Sequence, residues 1–127
     1  MDISHLGITE PVSGLPIISK AVIHGDIVYT CGVTADPTGD IFHQTQQVLD
    51  RIDWLLHAAG TDKSHLLTAQ VWLRDMSLFA PHNTVWNAWV DRAHPPVRVC
   101  VAAELWQPSL LVEIMVTAAR QPGVAPS

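Results

Sequence analysis

The sequence predicts a small α+β fold in which two helices pack on one face of a mixed β-sheet. Three observations lead to this prediction. The chain has 127 residues, which suits one domain, and 48% of them are hydrophobic, which is enough for a core. Two stretches carry apolar residues at helical spacing, and shorter stretches are rich in strand-forming residues. Their order, β-β-α-β-α-β-β, places all of them in one domain that spans residues 1–127.

The predicted sheet begins with a hairpin. Residues 20–23 and 27–31 have the composition of strands, and His24-Gly25-Asp26 between them forms a tight connection in which glycine can adopt a positive φ. Gly32 ends the second strand. The turn-rich segment 34–40 then leads to the first helix.

The first helix is predicted over residues 41–59 and stops at Gly60, a natural residue for a helix C-terminus. Its apolar stripe recurs at helical spacing and consists of Val48, Ile52, Leu55 and Ala59.

A strand over residues 66–74 and a second helix over residues 78–92 follow. Ser77 is the predicted cap of this helix, and the prolines at 95 and 96 end it. The residues expected to face the core are Phe79, Val85 and Trp89.

The last two predicted strands cover residues 97–103 and 110–118. Alternation along the first of them puts Arg98 and Cys100 on one face, while Glu113 is the only carboxylate of the second. A buried arginine needs an anion, because an unpaired buried charge costs about 3–5 kcal/mol when its partner is removed. Arg98 therefore either pairs internally with Glu113 or awaits a small carboxylate ligand, with Glu113 handling a proton or a water nearby.

The face of the sheet opposite the helices has no cover within this element order. Leu111 and Met115, together with Val22 or Ile23, are the residues expected to point that way. Self-association through this face is the economical way to cover it.

Composition excludes several classes of function. The formal charge is −5 and the basic residues are scattered, which argues against a nucleic-acid partner. The apolar runs are too short for a membrane helix, and the N-terminus lacks the pattern of a signal peptide. Cys31 and Cys100 are expected to be reduced thiols in a cytoplasmic protein. No Cys/His motif predicts a metal site, and residues 121–127 are expected to form a flexible tail.

Residues 96–101, Pro-Val-Arg-Val-Cys-Val, followed by Glu113 fifteen residues after the arginine, resemble the Rid (YjgF-like) family of imine and enamine deaminases. The resemblance runs along nearly the whole chain. Residues 25–32 resemble the family's early hairpin, residues 44–60 its first helix, and residues 79–89 the start of its second helix.

The resemblance implies a chorismate-mutase-like fold and a homotrimer with three clefts between neighbouring subunits. It also implies cofactor-free hydrolysis of reactive 2-imino acids to 2-keto acids and ammonia. Carried over to this chain, Arg98 would bind the substrate carboxylate, Cys100 and Gly32 would line the site, Glu113 would position or activate water, and Asn83 would lie at the edge of the cleft.

One departure from the family pattern concerns the early segment that closes over the substrate. The active branch carries a tyrosine there, whereas residues 15–19 of this chain contain no aromatic residue, which resembles a divergent branch. The alternatives to an imine deaminase are a trimeric module that binds small carboxylates or acts like a chaperone, and an enzyme for another small acid. Cys100 could be a nucleophile, although no histidine stands at a recognisable spacing, or a small packing residue.

Overall fold

The structure is a computed structural model that describes residues 2–121. The predicted tail, residues 121–127, lies outside the described residues except for Gln121. The helices are α1 (Ile41–Ala58) and α2 (Phe79–Trp89), and short 3₁₀ turns cover Lys63–His65 and Met76–Leu78. The strands are β1 (Ile3–Leu6), β2 (Ala21–His24), β3 (Ile27–Thr30), β4 (Val33–Thr34), β5 (Leu66–Leu73), β6 (Val97–Ala102) and β7 (Val112–Ala119).

The strands form one mixed sheet in the order β1-β2-β3-β7-β5-β6, and β4 pairs with β7 beyond the end of β3. Of the pairings in the described part of the chain, β5 with β6 is parallel and the others are antiparallel. A parallel pair needs a crossover connection, which α2 supplies. The predicted mixed sheet is confirmed.

Both helices pack on the same face of this sheet, as predicted. Alternate residues of β7 are fully buried beneath the helices, namely Val112, Ile114, Val116 and Ala118. The predicted stripe of α1 is buried as a whole. Gly60 follows α1 with a φ of 86°, and Gly25 turns the first hairpin with a φ of 64°, so both glycines take the left-handed conformation that their positions require.

Several local predictions are wrong. Asp75, not Ser77, caps the turn before α2, because its carboxylate accepts a hydrogen bond from the Ser77 amide at 2.8 Å. The helix ends at Trp89 rather than at residue 92. Phe79 is 42% exposed at the first residue of α2, so it does not face the core as predicted.

Two strands were not predicted at all. β1 pairs with β2, although its residues carry no alternating pattern and most of them are exposed. β4 has two residues and exists because the chain realigns against β7 after Gly32. Both depend on a free neighbouring edge rather than on their own composition.

A loop from residue 104 to residue 111 is held by buried polar groups. The amide of Gln44 on α1 donates to the carbonyl of Ser109 at 2.9 Å and accepts from the backbone of Leu111 at 2.9 Å. The guanidinium of Arg74 donates to the carbonyl of Leu110 at 2.7 Å. Leu111 itself is half-buried between the fully buried Leu110 and Val112 and contacts the edge of the main core.

The opposite face of the sheet remains open in the protomer. Val97, Val99 and Val101 on β6 are 71%, 52% and 44% exposed, and Tyr29 on β3 is 41% exposed. Val22 and Met115 lie on this face half-buried, as predicted, whereas Ile23 turns toward α1. No helix within residues 2–121 is long and apolar enough to cross a membrane.

Candidate functional site

Arg98 lies on β6 and points toward the helices. Its register partner on β5 is Ala69, whose partner on β7 is Val116, and both are buried under the helices. Residues in register on neighbouring strands share a face, so Arg98 shares theirs. Cys100 is two residues further along β6 and also packs against this core. The predicted placement of Arg98 and Cys100 on one face is therefore confirmed.

Side chains of α2 surround the guanidinium of Arg98. Its Nη2 donates to Asn83 Oδ1 at 2.6 Å, and its Nη1 lies 3.4 Å from His82 Nε2. The guanidinium carbon lies 5.0 Å from the centre of the Trp86 ring and 5.9 Å from that of Phe79, within cation–π range. We call Arg98, Asn83, His82, Trp86 and Cys100 the arginine pocket.

The arginine pocket contains no carboxylate partner for its cation. The ion pairs among the described residues involve Arg51, His65 and His94, and none involves Arg98. Burial lowers the pKa of Arg98, which reflects the cost of holding the charge there. The internal Arg98–Glu113 pair considered from the sequence does not form within the protomer.

His82 is a further pocket residue, which the sequence placed near the expected cleft but did not assign to the site. Its side chain is completely buried, and its Nδ1 lies 3.0 Å from Thr45 Oγ1 on α1. Burial and the neighbouring Arg98 lower its pKa to about 4, so the imidazole is neutral near pH 7. The available signal was helical spacing, because His82 stands four and seven residues before the buried Trp86 and Trp89.

Glu113 lies on the other face of the sheet. On β7 it sits between Thr34 of β4 and Trp72 of β5, and its neighbours in sequence, Val112 and Ile114, point into the core. Its carboxylate rests on Gly32, since a β-carbon built at that glycine would collide with Glu113 Oε2. Gly32 is therefore the residue type that leaves room for the carboxylate, and burial raises the pKa of Glu113.

Glu113 and Gly32 line a groove of about 840 Å³. The early segment supplies much of its wall, including Ile18, while Lys20 and Trp106 complete it. We call these five residues the glutamate groove. Ile17, which belongs to the segment 15–19 where the active branch of the family carries a tyrosine, is 64% exposed and does not line the groove.

The two thiols are close to these sites but show no sign of activation. Burial raises the pKa of both Cys31 and Cys100, so each is a protonated thiol near neutral pH. Both are free cysteines. Within residues 2–121, no cluster of three or more His, Cys, Asp or Glu side chains is arranged to hold a metal ion.

The structure thus divides the predicted site residues into two groups. Arg98, Cys100 and Asn83 meet in the arginine pocket. Gly32 and Glu113 meet in the glutamate groove. The sheet lies between the two groups in the protomer, because Arg98 and Glu113 project from its opposite faces.

Comparisons with known proteins agree with this architecture. A model of the family described as endoribonuclease L-PSP matches residues 15–120. The chain is 42% identical over 101 residues to the RutC family protein YoaB of Escherichia coli, covering 80% of this chain and 89% of that protein. It is 40% identical over 103 residues to a RutC family protein of Haemophilus influenzae, covering 80% and 89%.

Solved structures show the same fold. A member of the YjgF protein family from Neisseria meningitidis superposes with a TM-score of 0.89 at 37% identity, covering 97% of this chain and 98% of that one. A further member of that family from Mycobacterium tuberculosis superposes with a TM-score of 0.78 at 26% identity, covering 93% and 99%. The resemblance seen in the sequence is confirmed, and the chain belongs to the endoribonuclease L-PSP family, which includes the YjgF and RutC proteins.

Proposed function

We propose that this protein hydrolyses small 2-imino acids and their enamine forms to 2-keto acids and ammonia without a cofactor. The proposed site lies between subunits of a homotrimer, where the arginine pocket of one subunit meets the glutamate groove of its neighbour. Membership of the family supports a role in processing small molecules, and the finer activity is our inference from the two half-sites.

The observation that carries the proposal is a half-buried arginine held by neutral groups. Asn83 and His82 occupy one terminal nitrogen each, and no carboxylate among the described residues neutralises the charge. A guanidinium has five N–H donors, so three stay available for a ligand. A planar carboxylate can accept two parallel hydrogen bonds from such a fork, which orients the adjacent imine carbon.

The proposed reaction balances with water alone. Water attacks the imine carbon while the carboxylate of Glu113 takes one of its protons and returns it to the imine nitrogen, which gives a neutral tetrahedral carbinolamine. Glu113 then takes the proton of the carbinolamine hydroxyl and passes it to the nitrogen, so that the carbon–oxygen double bond of the keto group forms as the carbon–nitrogen bond breaks and ammonia leaves. The raised pKa of Glu113 supports this role, because a base with a pKa nearer neutrality can also return the proton.

The word endoribonuclease in the family description suggests a different substrate, which the charge of this chain does not favour. The formal net charge is −5, and the arginine pocket contains one cation. RNA binding relies on several cations spread along the phosphate backbone. One cation among neutral side chains suits a single carboxylate better.

The open sheet face and the two thiols support the remaining parts of the proposal. A second and third copy of the chain would cover the exposed valines of β6, which accounts for the homotrimer. The free thiols Cys31 and Cys100 suit the reducing cytoplasm.

The direct test measures the loss of 2-iminobutyrate generated in situ by an amino-acid oxidase. The wild-type protein should accelerate the loss, and Arg98→Ala should abolish most of that acceleration. Arg92→Ala is the matched control, because Arg92 is exposed and lies on the loop after α2. Equal rates for wild type and Arg98→Ala would refute the proposal.

A non-catalytic module that binds small carboxylates is the second candidate. It is favoured by the early segment, where Ile18 lines the groove but offers no hydroxyl to a substrate. Thermal stabilisation by 2-oxobutyrate, lost in Arg98→Ala and without any turnover of the imine, would support this candidate over the enzyme.

A further inference from the structure

We propose that His82 is a positioning residue, which holds the guanidinium of Arg98 in its ligand-binding orientation through a buried chain of hydrogen bonds that begins at Thr45. The inference rests on the proposed function of Arg98 as the carboxylate-binding group. It assigns a role to a side chain that touches no substrate.

The chain of hydrogen bonds joins three elements of the fold. Thr45 lies on α1, His82 on α2 and Arg98 on β6. Thr45 Oγ1 is 3.0 Å from His82 Nδ1, and His82 Nε2 is 3.4 Å from Arg98 Nη1. Thr45 and His82 are both completely buried, so water does not compete for these contacts.

The donor and acceptor roles follow from chemistry. A guanidinium can only donate, so His82 Nε2 must accept from Arg98. A neutral imidazole has one N–H, which is then on Nδ1 and donates to Thr45 Oγ1. Arg98 therefore selects the tautomer, and the Thr45 hydroxyl, which can donate or accept, takes the acceptor role toward Nδ1–H and holds the ring in place.

These contacts fix the plane of the Arg98 guanidinium and its rotation within that plane. His82 restrains Nη1, Asn83 restrains Nη2, and the rings of Trp86 and Phe79 lie within cation–π distance of the guanidinium. An arginine side chain loses rotamer entropy when it is immobilised. Because the free protein has already ordered this side chain, a carboxylate ligand does not bear that cost on binding.

Two substitutions of His82 separate positioning from packing. In His82→Gln, the side-chain carbonyl can stand where Nε2 stands and accept from Arg98, while the donor to Thr45 is lost. In His82→Asn, the amide N–H₂ can replace Nδ1–H toward Thr45, but the side chain is too short to reach Arg98. Both substitutions replace imidazole with a neutral amide, so each serves as the control for the other.

The experiment measures the affinity for 2-oxobutyrate by titration calorimetry and the KM and kcat for 2-iminobutyrate. We expect His82→Asn to weaken the affinity and raise KM about tenfold with little change in kcat, and His82→Gln to stay within about threefold of wild type. Equal behaviour of the two variants would overturn the inference. Thermal unfolding establishes that both variants fold, and Thr45→Val, which removes the acceptor of His82 Nδ1–H and so loosens the ring, should weaken binding in the same direction.

A spectroscopic readout on the wild-type protein is independent of the variants. Long-range ¹H–¹⁵N correlation near neutral pH should show His82 protonated at Nδ1 and unprotonated at Nε2. The opposite tautomer would overturn the inference.

The outcomes also distinguish this inference from the proposed function. If Arg98→Ala abolishes 2-oxobutyrate binding while His82→Asn does not weaken it, the positioning role fails and the proposed function stands. If both substitutions weaken binding but no protein turns over the imine, the positioning role stands and the catalytic proposal fails. If Arg98→Ala leaves binding unchanged, both fail.

Discussion

The arginine pocket and the glutamate groove place opposite charges in opposite kinds of surroundings. The pocket is built on regular elements, β6 and α2, and its cation is restrained by hydrogen bonds and aromatic rings. The groove is walled largely by the irregular chain of residues 7–18, and its carboxylate sits against the bare backbone of Gly32. The arginine pocket holds the side chain of Arg98 in place, whereas the glutamate groove leaves open space beside the side chain of Glu113.

The sheet between the half-sites has a chemical consequence. A carboxylate within about 4–6 Å of a guanidinium has a lowered pKa and makes a poor base. Glu113 lies across the sheet from Arg98, and burial raises its pKa. The two charges therefore do not neutralise each other within one protomer, and neither half-site alone can carry out the proposed reaction.

The largest expected effect concerns the glutamate groove. Glu113→Gln should lower kcat for 2-iminobutyrate about a hundredfold, because an amide cannot take the proton of water. Carboxylate affinity should change little, since binding belongs to the other half-site. Steady-state kinetics and calorimetry with 2-oxobutyrate measure the two quantities, and Glu104→Gln, an exposed site, is the control. A loss of affinity equal to the loss of kcat would contradict the proposal that Arg98 binds the carboxylate while Glu113 transfers the proton.

The converse effect is expected in the arginine pocket. Arg98→Lys should weaken 2-oxobutyrate binding about tenfold to a hundredfold, because lysine keeps the charge and loses the two-pronged geometry. Native mass spectrometry should find the trimer unchanged, and Arg92→Lys should behave as wild type. If Arg98→Lys breaks the assembly and spares binding, Arg98 is a structural residue.

Mixing subunits tests whether the half-sites combine across an interface. When Arg98→Ala and Glu113→Gln proteins are refolded together, random assembly should restore about a quarter of wild-type turnover, because a quarter of the intersubunit sites then contain both intact residues. Each variant refolded alone should remain inactive. No recovery in verified mixed trimers would mean that both residues act from one chain. If light scattering shows a monomer at micromolar concentration, a site between subunits is ruled out.

A smaller effect is expected from acid on the arginine pocket. The pKa of His82 is about 4 in the folded chain, against 6.5 as its ordinary value. A lowered folded-state pKa contributes stability that is present above pH 6.5 and is lost as pH falls through 4. Between about pH 7.5 and pH 4.5, wild type should therefore lose about 2 kcal/mol more unfolding free energy than His82→Gln. Urea denaturation measures this, and parallel pH profiles of the two proteins would contradict the buried neutral imidazole.

The smallest expected effect is selectivity in the glutamate groove. The wall near Ile18 buries apolar surface at about 25 cal/mol per Å² but offers no hydroxyl, so imino acids from leucine should be hydrolysed a few-fold faster than those from glutamate or alanine. A panel of amino acids oxidised in situ measures the order. Faster hydrolysis of the glutamate-derived substrate would contradict it and would implicate Lys20, which lines the same groove. Ile18→Tyr should change the order by restoring an aromatic hydroxyl.

Much of the fold could be predicted from local patterns. The buried stripe of α1 follows from the period of a helix, and the shared face of Arg98 and Cys100 follows from the alternation along a strand. Gly25 and Gly60 mark turns that need a positive φ. β1 could not be predicted, because its pairing depends on the exposed edge of β2 rather than on its own residues. The start of α2 was not predicted correctly either, because a 3₁₀ turn capped by Asp75 precedes the helix where Ser77 was expected to cap it.

The sequence by itself determined which residue types and which strand faces are available, because alternation and helical spacing are local properties. Only the tertiary structure decided which distant residues meet. It brought His82 and Asn83 against Arg98, brought Gly32 against Glu113, and put the sheet between the two pairs. The physical reason is that strand order and register set these meetings, and both depend on pairings between segments far apart in the chain.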